Sequence, residues 1–204
     1  MSIVVEHEKR RREILEKALD VFMEEGFVNV TFQKIADRCE ITRTTLYTYF
    51  KNKGDMFNFS IKQFLSALEN DITSIRADKG LSCQEKLIRV MTLIIERLEE
   101  NRRLVSVILD YIIFLLQNEH DPGYRVRRRT VRLRHILATM LIEGIKAGEL
   151  DPAVNVKDAN ELLFGLLEAA IFRLAALRRP SADEIKDAVK LAIQGFAAAS
   201  AINA

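Results

Sequence analysis

Arg43, Thr44, Tyr47, Thr48 and Lys51 fall within the short segment ITRTTLYTYFKNK, residues 41 to 53, and at helical spacing they share one side of the chain. Their combined chemistry is recognition of nucleic acid rather than bond breaking. A guanidinium can fork onto guanine O6 and N7, threonine methyl and hydroxyl groups meet thymine or phosphate, and a tyrosine hydroxyl donates to phosphate. Leu46, Tyr49 and Phe50 lie on the opposite side, where they can seal a small core. Thr42 is placed to cap this helix at its start, leaving backbone N–H groups available to a phosphate.

Other reactive side chains do not assemble into a site. His7 lies in an amino-terminal tail, His120 at a helix junction and His135 away from an apolar stripe, none with a nucleophile or acid at catalytic spacing. Glu119, His120 and Asp121 are consecutive and point in different directions, and Cys39 and Cys83 lack metal-ligand or disulfide spacing. No catalytic residue, metal or cofactor is expected, and the chain is not read as an enzyme. The run RVRRRTVRLRH, from Arg125 to His135, invites a second nucleic-acid surface or an anion pocket. Yet Val126, Thr130, Leu133, Leu137, Met140, Leu141 and Gly144 form one helical stripe with every arginine off it, which favours a solvated face.

The elements that must position this segment are helices. Eight Gly and three Pro among 204 residues, with 49% hydrophobic content, give a helical composition with ample core, and an all-α fold is expected. A net charge of +2 announces no nucleic-acid partner, and the first sixty residues are balanced. Between residues 31 and 53, however, Lys34, Arg38, Arg43, Lys51 and Lys53 face only Asp37 and Glu40. Apolar periodicity predicts a first helix over 8–25 closed by Gly26, a second opened by Thr31, and a short third opened by Thr42. Asn52, Ser82, Asn155 and Ser181, each followed three positions later by an acid, and Asp121 before Pro122, predict helices over 53–78, 83–99, 102–118, 122–147, 156–178 and 182–200. The reading is about nine helices, with residues 1–52 as one domain and 53–204 as a second that shares the helix at the boundary. The most apolar stretch, 162–177, carries Glu168 and Arg173 and is shorter than the ~20 residues needed to span a bilayer. With no secretory apolar region at the amino terminus, the expected location is the cytoplasm.

From Ile14 to Phe57 the sequence resembles the TetR family of transcription regulators: the EEGF turn at Glu24 to Phe27, Thr31 opening helix two, Ile35 with Ala36, and TTLYTYFKNK from Thr44. The resemblance implies that Arg43, Thr44 and Thr48 approach bases and that Gln33 joins them from helix two. It implies phosphate contacts for Thr31, Thr42, Thr45, Tyr47, Tyr49 and Lys53. One departure stands out: Glu40 occupies the turn position where the family usually has Gly. A non-glycine residue at positive φ costs on the order of 1 kcal/mol.

In the remaining two-thirds, the helix from Val156 is apolar almost all round and the last helix has an apolar side, so both need partner surfaces. The expected dimer interface consists of Leu163, Leu166, Leu167, Ala170, Leu174, Val189, Ile193 and Phe196, with Glu168 and Arg173 as candidates for cross-subunit pairing. The resemblance implies an inducer pocket among the middle helices, for which Asp110, Tyr111 and Asn118 are candidates. The combined expectation is a homodimeric repressor that binds a roughly palindromic double-stranded operator and releases it on binding a small molecule, with no membrane partner. The alternative is a helical carrier or small-molecule-binding, enzyme-like domain whose helix-turn-helix does not bind DNA.

Overall fold

The computed structural model describes residues 2–118 and 122–198, with the side chains of 2–4, 60, 63, 64, 67 and 122–130 outside the description. Among the described residues nine helices follow one another: α1 (Ser2–Glu25), α2 (Phe32–Cys39), α3 (Arg43–Tyr49), α4 (Lys53–Ala77), α5 (Cys83–Glu100), α6 (Arg102–Asn118), α7 (Pro122–Lys146), α8 (Val156–Ala175) and α9 (Asp183–Gln194). The all-α expectation is met. Most boundaries are set by the capping chemistry visible in the sequence. Thr31, Thr42 and Asn52 accept hydrogen bonds from the backbone N–H groups of Lys34, Thr45 and Asp55 at 3.3, 3.1 and 2.8 Å. Ser82 and Glu85 form a reciprocal capping box at the start of α5.

Three boundaries differ from the expected ones. Helix α1 begins at Ser2 rather than near Glu8. Helix α8 stops at Ala175, before Arg178 adopts a left-handed backbone (φ 50°) and Pro180 follows. Helix α9 stops at Gln194, because residues 196–198 turn to pair with the segment after α7: Asp151 N–H donates to Phe196 O at 2.9 Å and Ala198 N–H to Glu149 O at 3.1 Å. Ser181 is not the cap of α9; Glu99 of α5 accepts the Ala182 N–H at 2.6 Å and also holds Lys186 at 2.7 Å. The cap comes from a distant helix, beyond the reach of local patterning.

Two apolar cores result. The first gathers Phe22, Phe27, Ile35, Leu46, Met56 and Phe57 from α1 to α4 together with Leu104, Val107, Tyr111 and Leu115 of α6. The second packs Leu68 and Ile72 of α4 against α5, α7, α8 and α9. Helix α4 therefore contributes side chains to both cores. The junction is aromatic: the Phe27 ring lies 4.5 Å from Tyr111 and 5.2 Å from Phe114 of α6, and Phe57 lies 5.1 Å from Tyr111. No helix among the described residues is long and apolar enough to cross a membrane.

Candidate nucleic-acid interface

Helix α3 is short because its local chemistry starts and stops it. Thr42 caps its beginning, and Phe50 leaves helical geometry (φ −141°, ψ 136°) to insert into the first core. Leu46 anchors the inner side with no exposure at all. Thr42, Arg43, Thr44, Tyr47 and Thr48 stand exposed on the outer side, as the spacing predicts. Arg43 donates from Nη2 to the Tyr47 hydroxyl at 3.1 Å, and the Tyr47 ring rests 4.8 Å from Phe32 of α2. The exposed Thr48 side chain donates its hydroxyl to its own helix at Thr45 O, 2.7 Å. Gln33 is exposed on α2 and donates to Asp37 at 2.7 Å.

The turn between α2 and α3 is left-handed despite Glu40, rather than reshaped around it. Glu40 adopts φ 56°, ψ 40°, and its N–H closes α2 on Ala36 and Asp37 carbonyls. The backbone bears the cost of a carboxylate-bearing residue in a conformation suited to glycine. Gly26, the corresponding cap of α1, has φ 77°.

Two further residues carried over from the resemblance have more complicated surroundings. Lys53 donates to the carbonyls of Phe27, Val28 and Val30 at 3.0, 2.9 and 3.1 Å, with its ammonium 4.8 Å from the Phe27 ring. Burial pushes its pKa below the ordinary lysine value. Tyr49 is partly buried beneath His7, whose ring stacks on it at 4.6 Å. Arg11 extends the same surface, its guanidinium 4.1 Å from Phe59 and 5.5 Å from Phe50. Sequence spacing gave no indication of His7 or Arg11, because their partners lie on α3 and α4. Around this face, Arg38 pairs with Glu24 at 2.5 Å and Lys34 pairs with Glu25, fastening α2 to the end of α1. Arg38 holds the Glu24 carboxyl below its usual range. Burial pushes the Cys39 thiol up, as suits a core residue.

The three effector candidates do not converge. Asp110 is exposed, with Oδ2 close to Gly26; Tyr111 is buried in the aromatic junction; and Asn118 donates to Phe114 O at 2.7 Å near the end of α6. A cavity of about 330 Å³ between Phe27, Asn52, Lys53, Tyr111 and Phe114 touches one of them. The basic run is described only in part: Arg132 pairs with Glu69 at 2.9 Å, while Arg134 pairs with Glu161 and lies 3.9 Å from the Phe164 ring. Its residues 125–130, with Glu119, His120 and Asp121, lie outside the described side chains. No cluster of potential metal ligands occurs among the described residues.

Of the eight expected interface residues, Leu163, Leu167, Ala170, Leu174, Val189 and Ile193 are buried within the protomer. Leu166 and Phe196 are half-buried. The exposed apolar side chains on α8 and α9 are instead Leu162 (49%), Phe172 (56%) and Leu191 (72%). Arg173 pairs with Glu184 of its own chain at 3.0 Å.

The sequence model for bacterial regulatory proteins of the tetR family matches residues 14–58. The fatty acid metabolism regulator protein of Bacillus subtilis is 26% identical over 163 residues, covering 78% of this chain and 80% of that protein. The transcriptional repressor KstR2 of Rhodococcus jostii is 26% identical over 180 residues, covering 88% and 85%. The fold is shared with a TetR transcription regulator from Haloarcula marismortui at TM-score 0.78 and 17% identity, over 93% of this chain and 97% of that one.

Proposed function

Because the chain belongs to the TetR family of helix-turn-helix transcription regulators, we propose that it is a homodimeric repressor that reads its operator with α3 and releases it when a small molecule binds the helices behind. The observation that carries this reading is the outer face of α3, where Arg43, Thr44, Tyr47 and Thr48 stand exposed on a helix whose inner side is locked by Leu46. A rigid helix presenting a guanidinium, hydroxyls and methyl groups suits the major groove. Thr31, Gln33, Thr42 and Thr45 flank it as backbone contacts, with Gln33 also able to reach a base.

The dimer supplies the two-fold symmetry of a palindromic site, whose half-sites are about 34 Å apart or a multiple of that spacing. The stripe formed by Leu162, Leu166 and Phe172 on α8, with Leu191 on α9, is the surface through which two copies associate. An effector favouring one spacing of the two α3 helices shifts the population toward it. The packing of Phe27 and Phe57 on Tyr111 gives that shift a route to α3. The experiment is fluorescence anisotropy on a labelled duplex from upstream of the gene. Salt-sensitive, sequence-selective binding by the dimer supports the reading, and equal affinity for a scrambled duplex overturns it.

A further inference from the structure

On the far side of the aromatic junction, a cleft of about 400 Å³ lies where α1 ends, α6 begins and the chain leaves α8. Arg102, Arg103, Arg178 and Arg179 line it, and Asp110 is the one acidic residue on its wall. Arg102 donates to Pro180 O at 3.3 Å, which ties the loop after α8 to the start of α6. Among the described residues, no ion pair or side-chain hydrogen bond occupies Arg103, Arg178 or Arg179. Most of the molecule's other described arginines have partners: Arg38, Arg76, Arg97, Arg132, Arg134 and Arg173 each meet a carboxylate.

The placement adds to the imbalance. Arg102 and Arg103 occupy the first turn of α6, where no acid offsets the positive end of the helix dipole. Asp110 on the wall and Glu24, which acts electrostatically with Arg103, offset only part of the charge of the four exposed guanidiniums, and planar guanidiniums fork onto phosphate oxygens. The volume fits a small ligand. A concave wall made by three elements is a poor match to the cylindrical surface of a duplex.

We propose that this cleft binds a phosphorylated small molecule, its phosphates held by Arg102, Arg103, Arg178 and Arg179. Gly26 of the DNA-binding unit forms one wall and α6 with the loop after α8 forms the others, so the ligand bridges the two units. Resting on the function proposed above, occupancy changes operator affinity, and operator binding changes ligand affinity by the same factor.

The test is calorimetric titration of the full chain, without DNA, using inorganic pyrophosphate and ADP as probes. The comparison includes wild type, the Arg103→Gln/Arg178→Gln/Arg179→Gln variant and Arg132→Gln as a control for general charge. Arg103→Gln alone replaces the triple variant if the latter melts early. The site predicts affinity about tenfold or more weaker in the cleft variants and unchanged in the control. Tighter binding of ADP identifies a nucleotide; equal binding identifies phosphate alone. Absent binding, equal affinity in the cleft variants, or an equal loss in the control overturns the site. So does a cleft variant that loses duplex affinity while wild type ignores both probes. Because DNA is absent from the titration, the site and the operator reading fail independently.

Discussion

Arg43 donates to the hydroxyl of Tyr47, one helical turn further along α3, at 3.1 Å, with its guanidinium 5.5 Å from that ring. Tyr47 in turn rests against Phe32, which is buried in the first core. The guanidinium is therefore held in the free protein, which reduces the side-chain entropy lost in the proposed operator contact.

Replacing Glu40 with Gly should relieve the left-handed turn (φ 56°). The expected gain is about 1 kcal/mol, seen as a rise of roughly 2–4 °C in the melting temperature by calorimetry. Removing the carboxylate beside the DNA-facing helix should also raise duplex affinity at low salt. A lower melting temperature would show that the Glu40 side chain makes a stabilising contribution larger than the backbone strain.

Lys53→Met leaves three turn carbonyls without their donor. Stability should fall by about 1–3 kcal/mol in denaturant unfolding. The salt dependence of duplex binding should change by less than the ~1 unit expected for losing a phosphate contact. A full unit of slope with unchanged stability would assign Lys53 to the DNA backbone instead.

Hydrogen bonding holds two exposed carboxyls below their ordinary range: Arg38 acts on Glu24, and the Ser82 backbone N–H and hydroxyl act on Glu85. A carboxyl whose pKa is depressed by folding stabilises above its unfolded value, and that contribution disappears as pH falls through its folded value. The melting temperature of wild type should therefore decline more steeply from about pH 5 to about pH 3 than that of Glu24→Gln/Glu85→Gln. Parallel declines would remove these two groups from the acid sensitivity.

Leu191→Glu should yield a folded monomer by light scattering, since the side chain is 72% exposed in the protomer. Leu163→Glu should instead unfold the chain, because that side chain is fully buried. A Leu191→Glu dimer of wild-type affinity would place the interface elsewhere.

The DNA-binding unit was legible in the sequence because its determinants are local. Thr31, Thr42 and Asn52 set helix starts, and the spacing of Leu46 and Phe50 separates inner from outer faces. Glu40 stood out only against the glycine usual in the family, and whether the turn keeps its left-handed form is decided by the fold. The interface was less legible. Helix α8 is apolar on most sides, so periodicity could not distinguish Leu163, which faces its own core, from Leu162, which faces outward. Nor could it stop α9 at Gln194, because the pairing of 196–198 with 149–151 is set by a distant segment. The arginine pairs at 102–103 and 178–179 are visible as dipeptides, but only the fold brings them to one cleft.

Whether α3 reads bases is decided by Arg43→Ala. Anisotropy would be measured for wild type and variant on the upstream duplex and on a series of single-base-pair substitutions. A base-reading Arg43 gives a loss of about 1–3 kcal/mol on the natural duplex and relaxed discrimination at one operator position. Equal affinity and an unchanged discrimination profile would contradict it.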